Sequence, residues 1–351
     1  MPLVPGEAAP WFKAPTPSNP EYHFDTVAGR YVLLVFLPVE TQARAAALKA
    51  LAAHQSLFDD VFASAFVVAR DPETAASARD VRGLRWFLDA DGAVSRLYGA
   101  LDDDGSERFF WLALDPTLRV MGAKPIAEAE AMFGYLAGLP PPEGHAGTPS
   151  AAPVLVAPRI FEPELCAELI ARHEAQGSAF TGVMRDRGDR THYVMDELKS
   201  RRDVLVADPA LQAEIRERLE RRLFPLMERG FCFRPTRIER YLVSCYDAAD
   251  GGVFHAHRDN TTFGTAHRKF AASINLNDGF EGGDLRFAEF GPALHRPPVG
   301  GACVFACGML HEATKVASGR RYAFLPFLYD EAGAEVLATY QARVATPSPG
   351  A

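Results

Sequence analysis

The sequence predicts two domains of different class, an α/β domain with a thioredoxin-like sheet followed by an α+β domain with a double-stranded β-helix, or jelly roll. Three observations predict this arrangement of the 351 residues. In the first part of the chain, apolar strands alternate with helical segments, which is typical of an α/β sheet. A stretch rich in Pro, Gly and small residues then indicates a linker. Beyond two further helices come short strands separated by Gly, Asp and Pro, a pattern that favours two antiparallel sheets.

These observations also predict the domain boundaries. We place the first domain at residues 1–138, the linker at 139–152, the second domain at 153–335 and a C-terminal tail at 336–351. Each of the two domains is long enough to bury a core of its own.

Apolar runs mark the strands of the first domain. Residues 31–37 and 62–69 are continuous apolar runs, which is typical of strands buried on both faces. Helical spacing at 41–57 lies between them, a third strand follows, and Asp115-Pro116 forms the turn of a hairpin. A helix at 126–136 completes this domain.

The second domain begins with helices and continues with strands. One helix extends from Pro163 through His173, and another extends to Leu223 from Asp208, which is a good N-cap residue. Between the two helices, the Gly/Asp-rich segment from Arg185 to Arg202 is either a lid or a solvated loop. Predicted strands follow at 238–245, 270–276, 284–288, 302–306 and 321–328.

The first domain resembles a family of thiol peroxidases. Its motifs at 6–12 (GEAAPWF), 88–92 (LDADG) and 114–116 (LDP), in this order, resemble the peroxiredoxins. Members of that family attack peroxide with a cysteine thiolate on the first turn of the helix after a buried strand. Here that place falls on or beside Ala45, and residues 1–150 contain no cysteine. The resemblance therefore implies a redox-inactive module, whose expected role is packing, dimerisation or docking of a substrate or partner.

The residues that predict chemistry lie in the second domain. His257 and Asp259 are two positions apart, so on a strand or at its exit both side chains point to the same side. His311 has to reach them from another strand. Two imidazoles and one carboxylate form the ligand set of non-haem Fe(II) oxygenases. Arg321 is suited to bind a cosubstrate carboxylate bidentately, and Tyr246 is a candidate for a further hydrogen bond to the cosubstrate.

A second resemblance covers residues 153–330. The segments at 246–260 (with His-Arg-Asp), 280–287 (FEGGDLRF) and 311–322 (with Gly-Arg-Arg) resemble the prolyl 4-hydroxylase-like branch of the 2-oxoglutarate/Fe(II) dioxygenases. In that branch the His-x-Asp pair and the later histidine bind iron, and the arginine of a Gly-x-Arg motif binds 2-oxoglutarate. The resemblance places these catalytic roles on His257, Asp259, His311 and Arg321.

The sequence leaves the roles of three further residues undecided. Arg320 competes with Arg321 for the 2-oxoglutarate carboxylate. Asn275 stands where some relatives carry a cosubstrate-binding tyrosine, and it remains a candidate cofactor-binding residue. If residues alternate along the strand, His255 shares a face with His257. It is then either a histidine that does not bind the metal or a partner that contacts the ligands.

The resemblance implies an Fe(II)- and 2-oxoglutarate-dependent dioxygenase that uses O₂, with ascorbate as a candidate reductant. The implied reaction hydroxylates a C–H bond of a peptidyl residue, proline-like, or of a small metabolite. The alternative is a catalytically silent sensor or interaction module that binds iron or 2-oxoglutarate. A thiol peroxidase is opposed by the missing cysteine.

The composition indicates which classes of partner and which cellular location to expect. The net charge is −8 and neither half is basic, which argues against nucleic acid as a partner. No apolar run approaches the roughly 20 residues of a membrane helix, and the first residues lack the pattern of a signal peptide. We therefore expect a cytoplasmic protein that does not bind membranes. The substrate (peptide, protein or small molecule) and the oligomeric state are left open.

Overall fold

The computed structural model describes residues 3–345, and these form two compact units. The first unit runs up to Ala152 and includes Ala288–Pro292, while the second contains Pro153–Phe287 and the residues from Ala293 onward. The sequence-based boundaries do not place Ala288–Pro292 with the first unit. Within residues 3–345, no helix is long and apolar enough to cross a membrane.

The first unit contains a mixed five-stranded sheet. In chain order its strands are β1 (Lys13–Ala14), β2 (Tyr22–His23), β3 (Tyr31–Phe36), β4 (Ala63–Ala69), β5 (Leu84–Leu88), β6 (Phe110–Leu114) and β7 (Val120–Pro125), and its helices are α1 (Thr41–Ala53), α2 (Pro72–Ser77), α3 (Ala93–Leu97) and α4 (Ala129–Ala137). The sheet order is β5-β4-β3-β6-β7, and β1 pairs with β2 separately. Strands β3, β4 and β5 run parallel, and β6 and β7 are antiparallel to their neighbours.

The continuous apolar runs of the sequence form strands β3 and β4 in the interior of this sheet. Strands β3 and β4 are buried along their whole length, and their core includes Trp111 and Phe133. Helix α1 begins at a cap, where the Glu40 carboxylate accepts a hydrogen bond of 2.8 Å from the backbone N–H of Gln42. Ala45, at the place of the peroxiredoxin cysteine, lies in α1 and is exposed.

The second unit is built from antiparallel strands with helices. In chain order its strands are β8 (Leu155–Ala157), β9 (Ala179–Phe180), β10 (Val183–Arg187), β11 (Arg190–Val194), β12 (Lys199–Ser200), β13 (Arg202–Leu205), β14 (Arg237–Ile238), β15 (Leu242–Asp247), β16 (Val253–His257), β17 (Phe270–Asn275), β18 (Glu281–Gly282), β19 (Leu285–Arg286), β20 (Leu294–His295), β21 (Ala302–Ala306), β22 (His311–Ala313), β23 (Val316–Ser318), β24 (Arg320–Phe324) and β25 (Phe327–Tyr329). Its helices are α5 (Pro163–Gln176), α6 (Pro209–Arg218), α7 (Phe224–Phe231) and α8 (Glu331–Ala345).

Two of its sheets position the candidate site. The larger has the order β14-β25-β17-β24-β15-β13-β9, with β21 paired to β17 and β8 paired to β21. The smaller has the order β12-β16-β22-β19-β20. Strands β10 and β11 form a hairpin, and β18 pairs with β23. The architecture agrees with the predicted antiparallel double sheet supported by helices.

Helices α6 and α7 are joined by a π-helical turn at Leu219–Leu223. Pro225 follows in the first turn of α7 and has no N–H to donate to the preceding turn. The wider turn is one way to accommodate a missing backbone bond. Asp208 caps α6 as predicted, accepting a hydrogen bond of 2.9 Å from the backbone N–H of Ala210.

The C-terminal region adds a helix to one local prediction and differs from another. The predicted tail at 336–351 is helical as far as it is described, because α8 extends from Glu331 to Ala345, while residues 346–351 lie outside the described residues. Helix formers such as Ala, Glu and Leu dominate α8, and Asp330 accepts a hydrogen bond from the backbone N–H of Gly333 (2.9 Å). The predicted strand at 321–328 is divided into β24 and β25, with Pro326 between them.

Candidate metal centre

Two neighbouring strands of the smaller sheet bring the predicted metal ligands together. His257 is the last residue of β16, His311 is the first residue of β22, and the two are register partners. Asp259 follows two residues after the end of β16. Its carboxylate lies 3.6 Å from His257 Nε2 and 3.3 Å from His311 Nε2. One ligand atom from each of the three residues lies within 4.8 Å of the others, which is close enough for all three to bind one ion.

Hydrogen bonds from the far side of each imidazole prepare both histidines as ligands. His257 Nδ1 lies 2.7 Å from the carbonyl oxygen of His255, and His311 Nδ1 lies 3.0 Å from that of Met309. A carbonyl only accepts, so Nδ1 carries a proton, and Nε2 is the nitrogen that faces Asp259 and is available to bind a metal. Burial, together with the neighbouring His257, lowers the pKa of His311 to about 4. His311 is therefore neutral at pH 7, as a ligand has to be.

Asp259 completes the set as an anion. Burial alone raises the pKa of its carboxyl, but His311, His257 and Arg268 together hold it well below the usual range. Its backbone N–H donates to the carbonyl of Cys307 at 2.9 Å. Two imidazoles and an ionised carboxylate fit a divalent transition metal, and three such ligands leave coordination positions open on Fe(II).

A buried ion pair supports the loop that carries Asp259. Arg268 donates from Nη1 to the backbone carbonyl of Asp259 (3.3 Å). Its other nitrogens, Nε and Nη2, bond the two carboxylate oxygens of Glu239, each at 2.6 Å. His267 Nε2 lies 3.0 Å from the same carboxylate. Arg268 therefore links a bidentate ion pair to the backbone of a metal ligand.

The contribution of Glu239 to stability is expected to depend on pH. Burial alone raises the pKa of Glu239, but its bonds to His267 and Arg268 lower it to about 2, below the ordinary 4.5. A lowered carboxyl pKa contributes stability that is present above pH 4.5 and is lost as the pH falls toward 2. The separation corresponds to about 3 kcal/mol. We expect denaturant unfolding of the protein and of Glu239→Gln to differ most near pH 7 and to converge on acidification; a difference independent of pH would contradict this.

A cavity between the two sheets joins the triad to Arg321. It encloses about 450 Å³ of space, part of it open to solvent, and its lining includes the three predicted ligands, Tyr246 and Arg321. Arg321 lies on β24 of the larger sheet and is 2% exposed. Burial lowers its pKa. It stays a cation at pH 7, because an arginine pKa is far above 7.

The partners of Arg321 are neutral. Its Nη2 donates to Ser273 Oγ at 2.7 Å and to Asn275 Oδ1 at 3.2 Å, and its Cζ lies 5.3 Å from the centroid of the Tyr246 ring. Within residues 3–345, no carboxylate forms an ion pair with it. The amide of Asn275 also donates to the carbonyl of Pro297 (2.8 Å), so Asn275 holds Arg321 from behind and is not among the residues that line the cavity.

Arg320 and His255 both point elsewhere. Arg320 is exposed and forms an ion pair with Asp247 (2.8 Å), because adjacent residues of a strand face opposite sides. His255 is also exposed. The pairing of β16 with β22 shifts register between Phe254 and His257, and this irregularity breaks the alternation on which a shared face for His255 depends. Only its backbone carbonyl contributes to the centre.

Two further arginines line the cavity, and the sequence did not single them out as site residues. Arg201 was assigned to a lid or a solvated loop, but it is 4% exposed and its Nη1 donates to the Tyr246 hydroxyl at 3.2 Å. Arg240 is the other. Of these two arginines, Arg201 is the one that a sequence feature could have indicated. Asp203 lies two positions later, on the same face of the strand, and is its ion-pair partner (2.7 Å).

Comparison with known proteins finds structural similarity of two kinds. A prolyl hydroxylase from Trichoplax adhaerens, solved with a peptide of the hypoxia inducible factor oxygen degradation domain, is similar over 54% of this chain and 87% of its own, with 15% identity and a TM-score of 0.40. A Pseudomonas putida prolyl-4-hydroxylase is similar over 51% of this chain and 94% of its own (17% identity, TM-score 0.38).

The second kind of structural similarity is to peroxiredoxins. The Plasmodium vivax 2-Cys peroxiredoxin is similar over 39% of this chain and 81% of its own, with 20% identity and a TM-score of 0.32. No protein-family model matches the chain, and no curated protein matches it in sequence. The chain is thus similar in structure to members of both families that its sequence resembles.

Proposed function

We propose that this chain is an Fe(II)- and 2-oxoglutarate-dependent dioxygenase that hydroxylates a C–H bond. One observation carries the proposal. The imidazoles of His257 and His311 and the carboxylate of Asp259 line the same cavity as Arg321, a buried arginine without an anionic partner in residues 3–345. A three-residue ligand set suits Fe(II), and a buried guanidinium suits the distal carboxylate of a keto diacid.

Each residue then has a defined task. His257, Asp259 and His311 hold the metal, and Arg321 binds the distal carboxylate of 2-oxoglutarate. Iron and 2-oxoglutarate, when bound, supply the oxidising chemistry in which O₂ is consumed, a substrate C–H becomes C–OH, and succinate and CO₂ are released. Tyr246, which is 3% exposed and lies beside Arg321, donates a further hydrogen bond to the cosubstrate in this proposal.

The cavity wall contributes by excluding water. Between the polar groups it is formed by apolar side chains: Phe254, Ala271, Ala272, Leu285, Phe305, Ala313, Leu325, Pro326 and Phe327. The Phe254 ring stacks on the His257 imidazole with centroids 3.5 Å apart and fixes the plane of that ligand. An apolar wall of this kind limits the access of water to the reacting groups.

Substrate and partners belong to the same proposal. The oxidised group is a peptidyl residue, proline-like, or a small metabolite, and ascorbate is a candidate reductant. The first unit, which has no cysteine, serves dimerisation or docking of a partner. Its exposed alanine at position 45 has no thiol to react with peroxide.

The test is an anaerobic titration of the metal-free protein with Fe(II) and then 2-oxoglutarate. We expect the weak visible charge-transfer band of the iron–2-oxoglutarate chelate, and its loss together with succinate formation when O₂ is admitted. Omission of Fe(II) is the control. If iron binds but no band forms, the oxygenase proposal fails, and a silent metal-binding module becomes the better account of the chain.

A further inference from the structure

Three arginines line the cavity of the candidate metal centre, but only two of them have a partner or a task. Arg201 has the carboxylate of Asp203, with Nε and Oδ1 2.7 Å apart. Arg321 has neutral hydrogen-bond partners and, in the proposed function, the distal carboxylate of 2-oxoglutarate. Arg240 lines the same cavity, but within residues 3–345 it has no carboxylate partner, and the proposed function gives it no task.

Arg240 is held in place by an aromatic ring. Its Cζ lies 4.3 Å from the centroid of Phe327, which also lines the cavity. Its Nε is shielded from solvent and has no hydrogen-bond partner, and within residues 3–345 its guanidinium forms no ion pair. Packing of this kind fixes the guanidinium plane without using its N–H groups, which therefore stay available to a planar anion.

The nearby carboxylates are already engaged. Asp203 is bonded by Arg201 and also accepts a hydrogen bond of 2.7 Å from Ser244 Oγ. Glu239, next to Arg240 in sequence, is bonded through both oxygens by Arg268. Burial, with the cations Arg268 and Arg201, lowers the pKa of Arg240 to about 10, so Arg240 is still a cation at pH 7.

A charge count of the loaded site shows what remains for Arg240, and this step rests on the proposed function. Fe(II) brings two positive charges and 2-oxoglutarate two negative ones, Asp259 and Arg321 bring one of each sign, and the charge of Arg201 is paired with that of Asp203. These charges cancel, and the charge of Arg240 is left. An uncompensated buried charge is costly, and a ligand of opposite charge relieves that cost when it binds.

We infer that Arg240 binds a carboxylate of the substrate that is oxidised at the metal centre. The substrate class is thereby an organic acid, either a free acid or the acidic side chain of a peptide, and a neutral prolyl peptide is disfavoured. The apolar wall around Phe327 holds the carbon part of the acid. The bidentate geometry of guanidinium and carboxylate sets its orientation.

The first experiment uses the full chain loaded anaerobically with Fe(II) and 2-oxoglutarate. Matched probes are titrated in, and their dissociation constants are read from the shift of the charge-transfer band. N-acetylproline against N-acetylprolinamide tests a free acid, and N-acetylglutamine amide against N-acetylglutamate amide tests a peptide side chain. In one of these pairs we expect the carboxylate to bind about 30-fold or more tightly than its amide.

Variants connect that preference to Arg240. Arg240→Gln is expected to remove the preference, while Arg221→Gln, an arginine whose side chain is 75% exposed, keeps it. The proposal is overturned if the amides bind as well as the acids, if no carboxylate binds, or if the preference survives in Arg240→Gln. Failure of the chelate band to form is seen before any probe is added, and it counts against the proposed function instead.

A second measurement separates Arg240 from the cosubstrate. The affinity for 2-oxoglutarate is expected to be the same in Arg240→Gln and in the unaltered protein, and a clear weakening would mean that Arg240 serves 2-oxoglutarate and not the substrate. Without any ligand, Arg240→Met is expected to raise the midpoint of thermal unfolding by a few degrees. Arg201→Met is expected to lower it, because Asp203 then loses the closer of its two ion-pair partners and keeps only Lys199.

Discussion

Replacement of His311 by alanine is expected to abolish iron binding near neutral pH and, with it, all 2-oxoglutarate turnover. His311 is 5% exposed and directs Nε2 toward the Asp259 carboxylate, 3.3 Å away. Changes to groups that merely orient a metal ligand cost about 10–100-fold in affinity, so loss of the ligand itself is expected to cost more. Iron content after anaerobic loading and gel filtration, together with succinate formation, measures the effect.

The matched control is His255→Ala. The exposed imidazole of His255 takes no part in the centre, and only its backbone carbonyl accepts from His257 Nδ1, so this variant is expected to bind iron and turn over normally. His311→Gln, which keeps a polar side chain of similar length, guards against a folding defect in the alanine variant. Iron bound at unchanged affinity by folded His311→Ala or His311→Gln would contradict the assignment.

The parts of this centre that follow from local sequence could be predicted. The spacing of His257 and Asp259 predicts two ligands on one side of a strand exit, and the structure brings both to His311. Continuous apolar runs similarly predict β3 and β4, which are buried along their whole length. Spacing and apolar runs are properties of neighbouring residues, so the printed sequence contains them in full.

The parts that depend on pairing between distant strands could not be predicted. The orientation of His255 follows from a register shift between β16 and β22, and no property of residues 253–257 alone indicates it. The position of Arg240 in the cavity depends on Phe327, on a strand 87 residues later in the chain. The register between distant strands decides which side chains enter the cavity, and this register cannot be read from a single sequence.

The choice between Arg320 and Arg321 is of the same kind. The two are adjacent on a strand, so one faces the cavity and the other faces away, but the sequence does not say which. The register of β15 with β24 pairs Arg321 with Tyr246, and both line the cavity. The structure therefore favours Arg321 as the candidate anchor, and the pair provides a variant and its own control.

Arg321→Ala is expected to weaken 2-oxoglutarate binding by about 30-fold or more, which corresponds to the loss of about 2 kcal/mol or more when one partner of a buried charge pair is removed. Iron affinity is expected to change little, since Arg321 is not one of the three ligands. Arg321→Lys is expected to be intermediate, because an ammonium retains the charge but not the bidentate geometry. Titration of the chelate band with 2-oxoglutarate at saturating Fe(II) gives the dissociation constants.

Arg320→Ala is the control on the same strand. Its side chain is 57% exposed and pairs with Asp247 on the surface, where an ion pair contributes little to stability, so the 2-oxoglutarate affinity of this variant is expected to equal that of the unaltered protein. If Arg320→Ala weakened 2-oxoglutarate binding while Arg321→Ala did not, the anchor would have to be reassigned. If neither variant changed it, the cosubstrate carboxylate would have to bind elsewhere in the cavity. Because Arg240 also lines the cavity and forms no ion pair within residues 3–345, Arg240→Gln would then decide between a cosubstrate role and a substrate role for that residue.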